Sequence, residues 1–382
     1  MSAAAKARPL TGWIKGLNLR RRAAALQAIA ALPTRVGASF RNRLNMLKRN
    51  ALALAAGLVL IAAVAQAGTL DQVKKRGYLV CGSNPGLAGF GLPDDKGNWI
   101  GLDVDFCRAV AAAIFNDAGK VKLLPLSAKD RFTALQSGEV DVLAHNTTWT
   151  LSREVGQGFL FTGINYYDGQ GFMVRRKLNL TSALELSGAS VCVQQGTTTE
   201  LNLADFFRGN NMTYEPVNFA TADEARKAYD SGRCDAYTTD SSGLYAERPK
   251  LANPDDSIIL PEIISKEPLG PVVRQGDDQW FNLVKWVNFA MIDAEELGVT
   301  SKNVDEKTKS EHPEIKRLLG LEGNFGEALG LTGDWAYRIV KLVGNYGETF
   351  DRDLGEGSSL KIKRGVNALW TKGGLHYAPP IR

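Results

Sequence analysis

The amino-acid sequence predicts an α/β protein of two doubly wound lobes, joined by a two-strand hinge and followed by a mainly helical C-terminal extension. Strands and helices alternate from residue 78 onward, the pattern of a mostly parallel sheet with helices on both faces. The same alternation begins again near residue 190. Two extended stretches, 166–174 and 262–273, lie where the chain would cross between two such lobes.

The elements follow in order. Residues 78–82 are a short apolar strand, and 102–115 a helix with apolar Val104, Val110, Ala111 and Ile114. Residues 121–126 form a strand, 131–136 a helix stopped by Ser137-Gly138, and 140–144 the next strand. In the second lobe, 190–194 is a strand, 200–207 a helix and 215–219 a strand; 222–229 is a helix closed by Ser231-Gly232, and 234–238 a strand. The phrases Leu135-Gln-Ser-Gly-Glu-Val-Asp141 and Tyr229-Asp-Ser-Gly-Arg-Cys-Asp235 occupy equivalent places: a helix end, a glycine turn, a strand opening on Asp. Residues 274–382 are mainly helical, with a strong amphipathic helix at 277–296 and a Gly- and Pro-rich tail from 369. The expected division is 1–67 extension and signal peptide, 68–168 lobe 1, 169–268 lobe 2, and 269–382 the return to lobe 1 with the helical extension.

The net charge of +5 is unevenly spread. Residues 1–67 hold 11 of the 46 basic residues and no acid, which leaves 35 basic against 41 acidic residues in the remainder. No nucleic-acid partner is indicated. Arg41, Arg43, Lys48 and Arg49 precede the uncharged apolar run 51–64, and Ala65-Gln66-Ala67 follows as a small-x-small cleavage site. That is the layout of a secretory signal peptide cleaved after Ala67, and the apolar run is shorter than the ~20 residues of a membrane-spanning helix. Met46 would make a conventional start for it, with 1–45 a disposable extension. Cys81, Cys107, Cys192 and Cys234 all lie in the exported part, an even number that reads as disulfides in an oxidising compartment. There is no CxxC pair, and His145, His312 and His376 do not cluster with cysteine, so no metal and no cofactor is expected.

Ligands of open α/β sheets bind beyond the carboxyl ends of the strands. There the first lobe offers His145-Asn146-Thr147-Thr148 and, further on, Arg153, hydroxyls and one guanidinium suited to a carboxylate. A solvated surface turn is the bland alternative. The second lobe offers Gln195-Gly-Thr197-Thr198-Thr-Glu200 between strand and helix, where the amides of Thr197 and Thr198 at a helix N-terminus favour an anion. A plain threonine N-cap is equally compatible. Asp240 either caps the helix after it or faces the cleft and pairs with an ammonium. Asn84, after the first strand, opens a Gly-rich loop without GxGxxG spacing.

The phrases Gly101-Leu-Asp-Val-Asp105, Phe132-Thr-Ala-Leu-Gln-Ser-Gly138, Tyr166-Tyr-Asp-Gly-Gln-Gly-Phe-Met173, Gly196-Thr-Thr-Thr-Glu200 and Lys266-Glu-Pro-Leu-Gly-Pro271, with the terminal Leu-Trp-Thr-Lys-Gly-Gly-Leu element, resemble the type II periplasmic binding proteins of polar amino-acid ABC importers. More narrowly they resemble the general L-amino-acid-binding proteins, from about Gly68 to the C-terminus. The resemblance implies a periplasmic monomer that binds an L-amino acid, performs no catalysis and delivers its ligand to inner-membrane permease subunits. It implies Thr148, Arg153 and Thr198 on the α-carboxylate, with Asn146 and Thr197 beside them, and Asp240 on the α-ammonium. Arg131 and Asn84 then lie at the ligand side chain. Asn84 stands where binders of cationic amino acids carry an acid, and Leu87 where they often carry an aromatic, which argues against strict lysine or arginine specificity; with Arg131 and no matched acid at the side-chain end, acidic and amide ligands are expected to bind well and neutral ones adequately. The expected disulfides are Cys81–Cys107, strand to the helix behind it, and Cys192–Cys234, between neighbouring strands. A cyclohexadienyl-dehydratase-like enzyme on the same fold is the rival; its base would be His145 or Glu200.

Overall fold

The computed structural model describes residues 68–382. The expected signal peptide, its cleavage site and the 1–45 extension lie outside the described residues. Among the described residues no helix is long and apolar enough to cross a membrane.

Helix α1 (Thr69–Arg76) leads into β1 (Leu79–Ser83), α2 (Leu102–Phe115), β2 (Val121–Pro125), α3 (Arg131–Ser137), β3 (Val142–Leu143) and β4 (Phe159–Phe161). The chain then crosses through β5 (Tyr166–Asp168) into β6 (Gln170–Arg175), β7 (Ala189–Gln194), α4 (Thr198–Gly209), β8 (Tyr214–Phe219), α5 (Ala222–Asp230), β9 (Ala236–Asp240), α6 (Ser241–Glu247) and β10 (Ser257–Ile259). It returns through β11 (Glu267–Leu269) to β12 (Val272–Arg274) and α7 (Asp278–Glu296).

The first sheet has the order β2-β1-β3-β12-β4 and the second β8-β7-β9-β6-β10. In each, the first three strands are parallel and the last two antiparallel to their neighbours. The internal repeat extends to side chains. Asp141 accepts the amide of Val80 at 2.7 Å, and Asp235 accepts that of Ser190 at 2.9 Å. Each equivalent aspartate thus ties the third strand of its lobe to the first. Between the sheets, β5 and β11 pair antiparallel, Asp168 with Glu267 and Tyr166 with Leu269, as the two-strand hinge.

Cys81 in β1 is bonded to Cys107 in α2, and Cys192 in β7 to Cys234, two residues ahead of β9. That last strand begins later than its sequence suggests and runs through Asp240, because its antiparallel partner β6 continues the ladder to Gln170 opposite Asp240. The helices after α7 pack on α2 and α7 and enlarge the core of the first lobe. The Gly- and Pro-rich tail reaches the hinge: Asn367 donates to the carbonyl of Tyr167 at 3.0 Å and accepts its amide at 2.7 Å. The side chain of one tail residue therefore satisfies both backbone groups of a hinge residue.

Candidate functional site

The carboxyl ends of the parallel strands of both lobes meet over one cleft. Helix α2 shapes its first-lobe wall. Gly101 before α2 has φ 129°, and a Cβ there would stand 2.2 Å from the carbonyl oxygen of Phe90, so only glycine lets the helix start here. Asp103, in the first turn, then accepts the amide of Asn146 at 2.6 Å and the side-chain amide of Asn165 at 3.0 Å. It fixes Asn146 in the left-handed region, φ 38°, so that the loop after β3 turns its Thr147-Thr148 segment across the cleft. Burial raises the Asp103 carboxyl to about 6.

A cavity of about 40 Å³ is lined by Asn84, Arg131, Asn146, Thr148, Thr197, Thr198 and Asp240, with His145 and Thr239 among its other walls. Seven of the eight residues expected at the site converge there. Arg153, the eighth, lies behind the wall: its Nη1 donates to the Thr148 carbonyl at 2.7 Å, and its guanidinium is buried against the ring of Phe132, 5.1 Å from the centroid. Arg131 covers the same ring at 5.0 Å.

Arg131 Nη1 donates to the carbonyl of His145 at 3.0 Å and lies 3.3 Å from its Nδ1. Nε2 of the same ring stands 2.8 Å from the carbonyl of Leu126. A carbonyl only accepts, so Nε2 carries the proton and Nδ1 faces the guanidinium as an acceptor. Burial, reinforced by Arg131, pushes His145 down to about 3. It is a neutral prop for Arg131 and not a general base. Glu200 is also committed: it accepts the Gly196 amide at 2.9 Å and the Asn218 side chain at 3.2 Å, away from the cavity.

On the second lobe the threonine N-cap is present. Thr197 Oγ1 donates to Gln194 O at 2.7 Å and accepts from the Glu200 amide, so its hydroxyl caps α4 while the N-terminus of that helix faces the cavity. The Thr198 hydroxyl has partners within the protein. Its Oγ1 donates to Glu267 Oε2 at 2.8 Å, and Thr148 Oγ1 stands 3.2 Å away on the other side. With the Thr198 proton given to the carboxylate, Thr148 is the donor of that second bond. The Thr198 hydroxyl hydrogen is thus already committed to Glu267.

Asp240 makes no side-chain cap to α6 although it occupies the N-cap position. It is buried on the cavity wall. Burial, then the Asp168 and Glu267 carboxylates, raise its pKa well above the ordinary value. Asp168, held by Ser242 and by the Gly169 amide at 2.8 Å, is raised by burial to about 6. Burial lowers Arg131 to about 9 and Arg153 to about 10, and both remain cations at neutral pH. The buried acids Asp103, Asp168, Asp240 and Glu267 thus face the buried cations Arg131 and Arg153, an arrangement that favours a further positive charge at Asp240.

Sequence reasoning missed Glu267. It is fully buried at the start of β11 and accepts from Thr198, from Asn202 Nδ2 at 2.6 Å and from Ser265 Oγ at 2.8 Å. The next residue, Pro268, gives its carbonyl to the Trp149 amide at 2.8 Å. Neighbouring hinge residues thus hold the helix N-terminus of one lobe and the Thr148–Arg153 loop of the other. The phrase 266–271 carried the only signal, a Glu-Pro pair in an extended crossing. Glu267→Gln replaces an acceptor-only group by one with two donors, and charge-assisted bonds contribute about 1.5–3 kcal/mol each. The expected result is a loss of ligand affinity of about tenfold or more with the fold retained, read by calorimetry beside thermal unfolding. An unchanged affinity would reduce Glu267 to a packing residue.

Two wound lobes, a paired-strand hinge and a charge-lined cavity in the cleft define a solute-binding protein. Residues 79–304 match the bacterial extracellular solute-binding proteins, family 3, and the chain belongs to that family. It is 62% identical over 330 residues, 86% of this chain and 97% of the relative, to the General L-amino acid-binding periplasmic protein AapJ of Rhizobium johnstonii. It is 56% identical over 324 residues, 85% of this chain and 96% of the relative, to the Glutamate/glutamine/aspartate/asparagine-binding protein BztA of Rhodobacter capsulatus. A solved ABC transporter / periplasmic binding protein from Brucella ovis with glutathione bound superposes with a TM-score of 0.81 at 62% identity, over 83% of this chain and 100% of that one. The chain is a binding protein and not an enzyme.

Proposed function

We propose that the protein captures L-amino acids in the periplasm, after removal of its signal peptide, and delivers them as a monomer to the inner-membrane permease of an ABC importer. The observation that carries this reading is the charge pattern of the cavity. Thr148 and the α4 N-terminus, with the Arg153 guanidinium just behind the wall, receive an α-carboxylate, and the buried Asp240, which makes no side-chain cap, receives an α-ammonium. That pattern complements a zwitterion and leaves the side chain to Arg131, Asn84 and Asn146. The names of AapJ and BztA, binding proteins for several amino acids, support a broad range that includes acidic and amide ligands. The dehydratase alternative lacks support, because His145 and Glu200 have other partners.

The lobes touch across the cleft: Lys250 Nζ donates to Gly86 O at 3.1 Å, and Thr148 meets Thr198. Entry of a ligand requires these contacts to part about the hinge. Calorimetric titration of the mature protein with the twenty amino acids tests the proposal; heats that saturate for glutamate, glutamine, aspartate and asparagine are expected, and none at all would overturn it.

Binding also links to protons. In the free protein Asp240 holds its proton above the usual carboxylate range, whereas an ammonium partner favours its ionised form. Its pKa falls on binding, so binding releases protons as the pH drops toward the raised value, and affinity is lost as pH falls through it. Titration in two buffers of different ionisation enthalpy should show proton release that grows as the pH falls toward the raised value and disappears well above it. Proton uptake on binding would remove Asp240 from the ammonium.

A further inference from the structure

Where α7 ends, the last turn of that helix, the short helix Pro313–Leu318 and the C-terminal tail enclose a cavity of about 190 Å³. None of its wall residues lines the ligand cavity in the cleft. Its volume is below the ~300 Å³ at which sites for drug-sized ligands begin, so a ligand here is small.

The wall is acidic. Asp293 and Glu296 stand at the i, i+3 spacing that brings two side chains to one helix face, and Glu314 comes from the short helix. The cation on the wall, Arg382, reaches Glu314 at 3.8 Å from an exposed position. Glu296 accepts the indole N–H of Trp370 at 3.1 Å. Asp293 has less, since its Oδ2 is buried with no hydrogen-bond partner. Burial, then the carboxylates of Glu296 and Glu314, raise the Asp293 carboxyl to about 7. Acids in the last turn of a helix also oppose its dipole. Asp293 is thus disfavoured by burial, by its neighbours and by its place on α7, and a cation in the cavity would relieve all three.

The other walls fit such a cation. Trp370 and Tyr377, edge to face at 5.4 Å, line the same space, and aromatic faces attract positive charge. Leu297 and Leu318 supply apolar surface for a methylene chain. We propose that this cavity is a second binding site, for a small aliphatic diamine in its doubly protonated form. Its ammonium ends supply the donors that acceptor-only carboxylates need. Its two charges match the excess of three acids over one arginine. An ammonium beside Asp293 favours the ionised carboxylate, so the group gives up its proton on binding and affinity falls as the pH drops below about 7.

The test is calorimetry with putrescine and with n-butylamine, which has the same chain and one charge, on the mature protein, Asp293→Asn and Trp370→Ala. Thermal unfolding checks the fold of each variant. The expected result is saturable binding of putrescine, about tenfold tighter at pH 8 than at pH 6, with n-butylamine about tenfold weaker or more at pH 8. Asp293→Asn should weaken putrescine about tenfold or more and remove the pH dependence. Trp370→Ala, at an exposed ring, should weaken it about threefold. No saturable heat with putrescine at pH 8, an unchanged affinity in Asp293→Asn, or n-butylamine binding as tightly as putrescine would each overturn the proposal.

Discussion

Arg153→Ala is expected to abolish binding of every amino acid alike, while Arg131→Ala weakens glutamate and aspartate and spares small neutral ligands. Arg153 is 5% exposed, clamped to the Thr148 carbonyl and packed on Phe132. In the proposed complex it meets the α-carboxylate, which all α-amino acids share. Its removal leaves a buried carboxylate without its charged partner, a loss of roughly 3–5 kcal/mol, or about two to four orders of magnitude in affinity. Arg131 is propped from behind by His145 and lines the cavity itself, where the proposal places the ligand side chain. Calorimetry with glutamate and alanine on both variants, with thermal unfolding as a check of fold, separates the roles. The structure gives the test an edge, because Arg131 and not Arg153 is on the cavity wall. If Arg131→Ala lowers all ligands equally and Arg153→Ala keeps near-normal affinity, the two guanidiniums have exchanged roles.

Much of this architecture was legible in the sequence because it repeats locally visible rules. Residues 102–115 form the expected helix without a shift of either end, since its apolar residues and the Gly101 start are local signals. The matched Asp141 and Asp235 were visible as a repeated phrase, and they perform the same backbone bond in each lobe. What sequence could not show was decided by distant partners. The third strand of the second lobe shifted by two residues because β6, far away in the chain, pairs as far as Asp240. In the site, residue types at strand ends pointed to a zwitterion, but the direction of each hydrogen bond did not. Nothing local to Thr198 signals that its hydroxyl donates to Glu267, 69 residues away. Asp103 stood unremarked inside a phrase; its reach to Asn146 and Asn165 exists only once the loop after β3 has folded over it.

Removing the second-lobe disulfide, by Cys192→Ala with Cys234→Ala, is expected to cost about 4 kcal/mol of stability with little change in affinity at a temperature where the variant is folded. The bond closes a loop of 42 residues, which includes β7, α4, β8 and α5. Closing a loop of this size removes conformational freedom mainly from the unfolded chain. Both sulfurs are buried in the cluster formed by Met173, Tyr229, Tyr237 and Leu244, so the double replacement also leaves a packing deficit. The first-lobe bond closes only 26 residues and sits in a core enlarged by the C-terminal helices. Its loss should cost slightly less, about 3.5 kcal/mol. Neither bond crosses the hinge and no cysteine lines the ligand cavity, which is why binding should survive where folding does. Denaturant unfolding of each pair variant, with glutamate titrations at 20 °C, measures both quantities. A second-lobe variant that loses less than about 1 kcal/mol would mean that the β7–β9 ladder and its aromatic core hold the loop without the bond. A variant that stays folded but loses its ligand would instead show that the bond positions the N-terminus of α4.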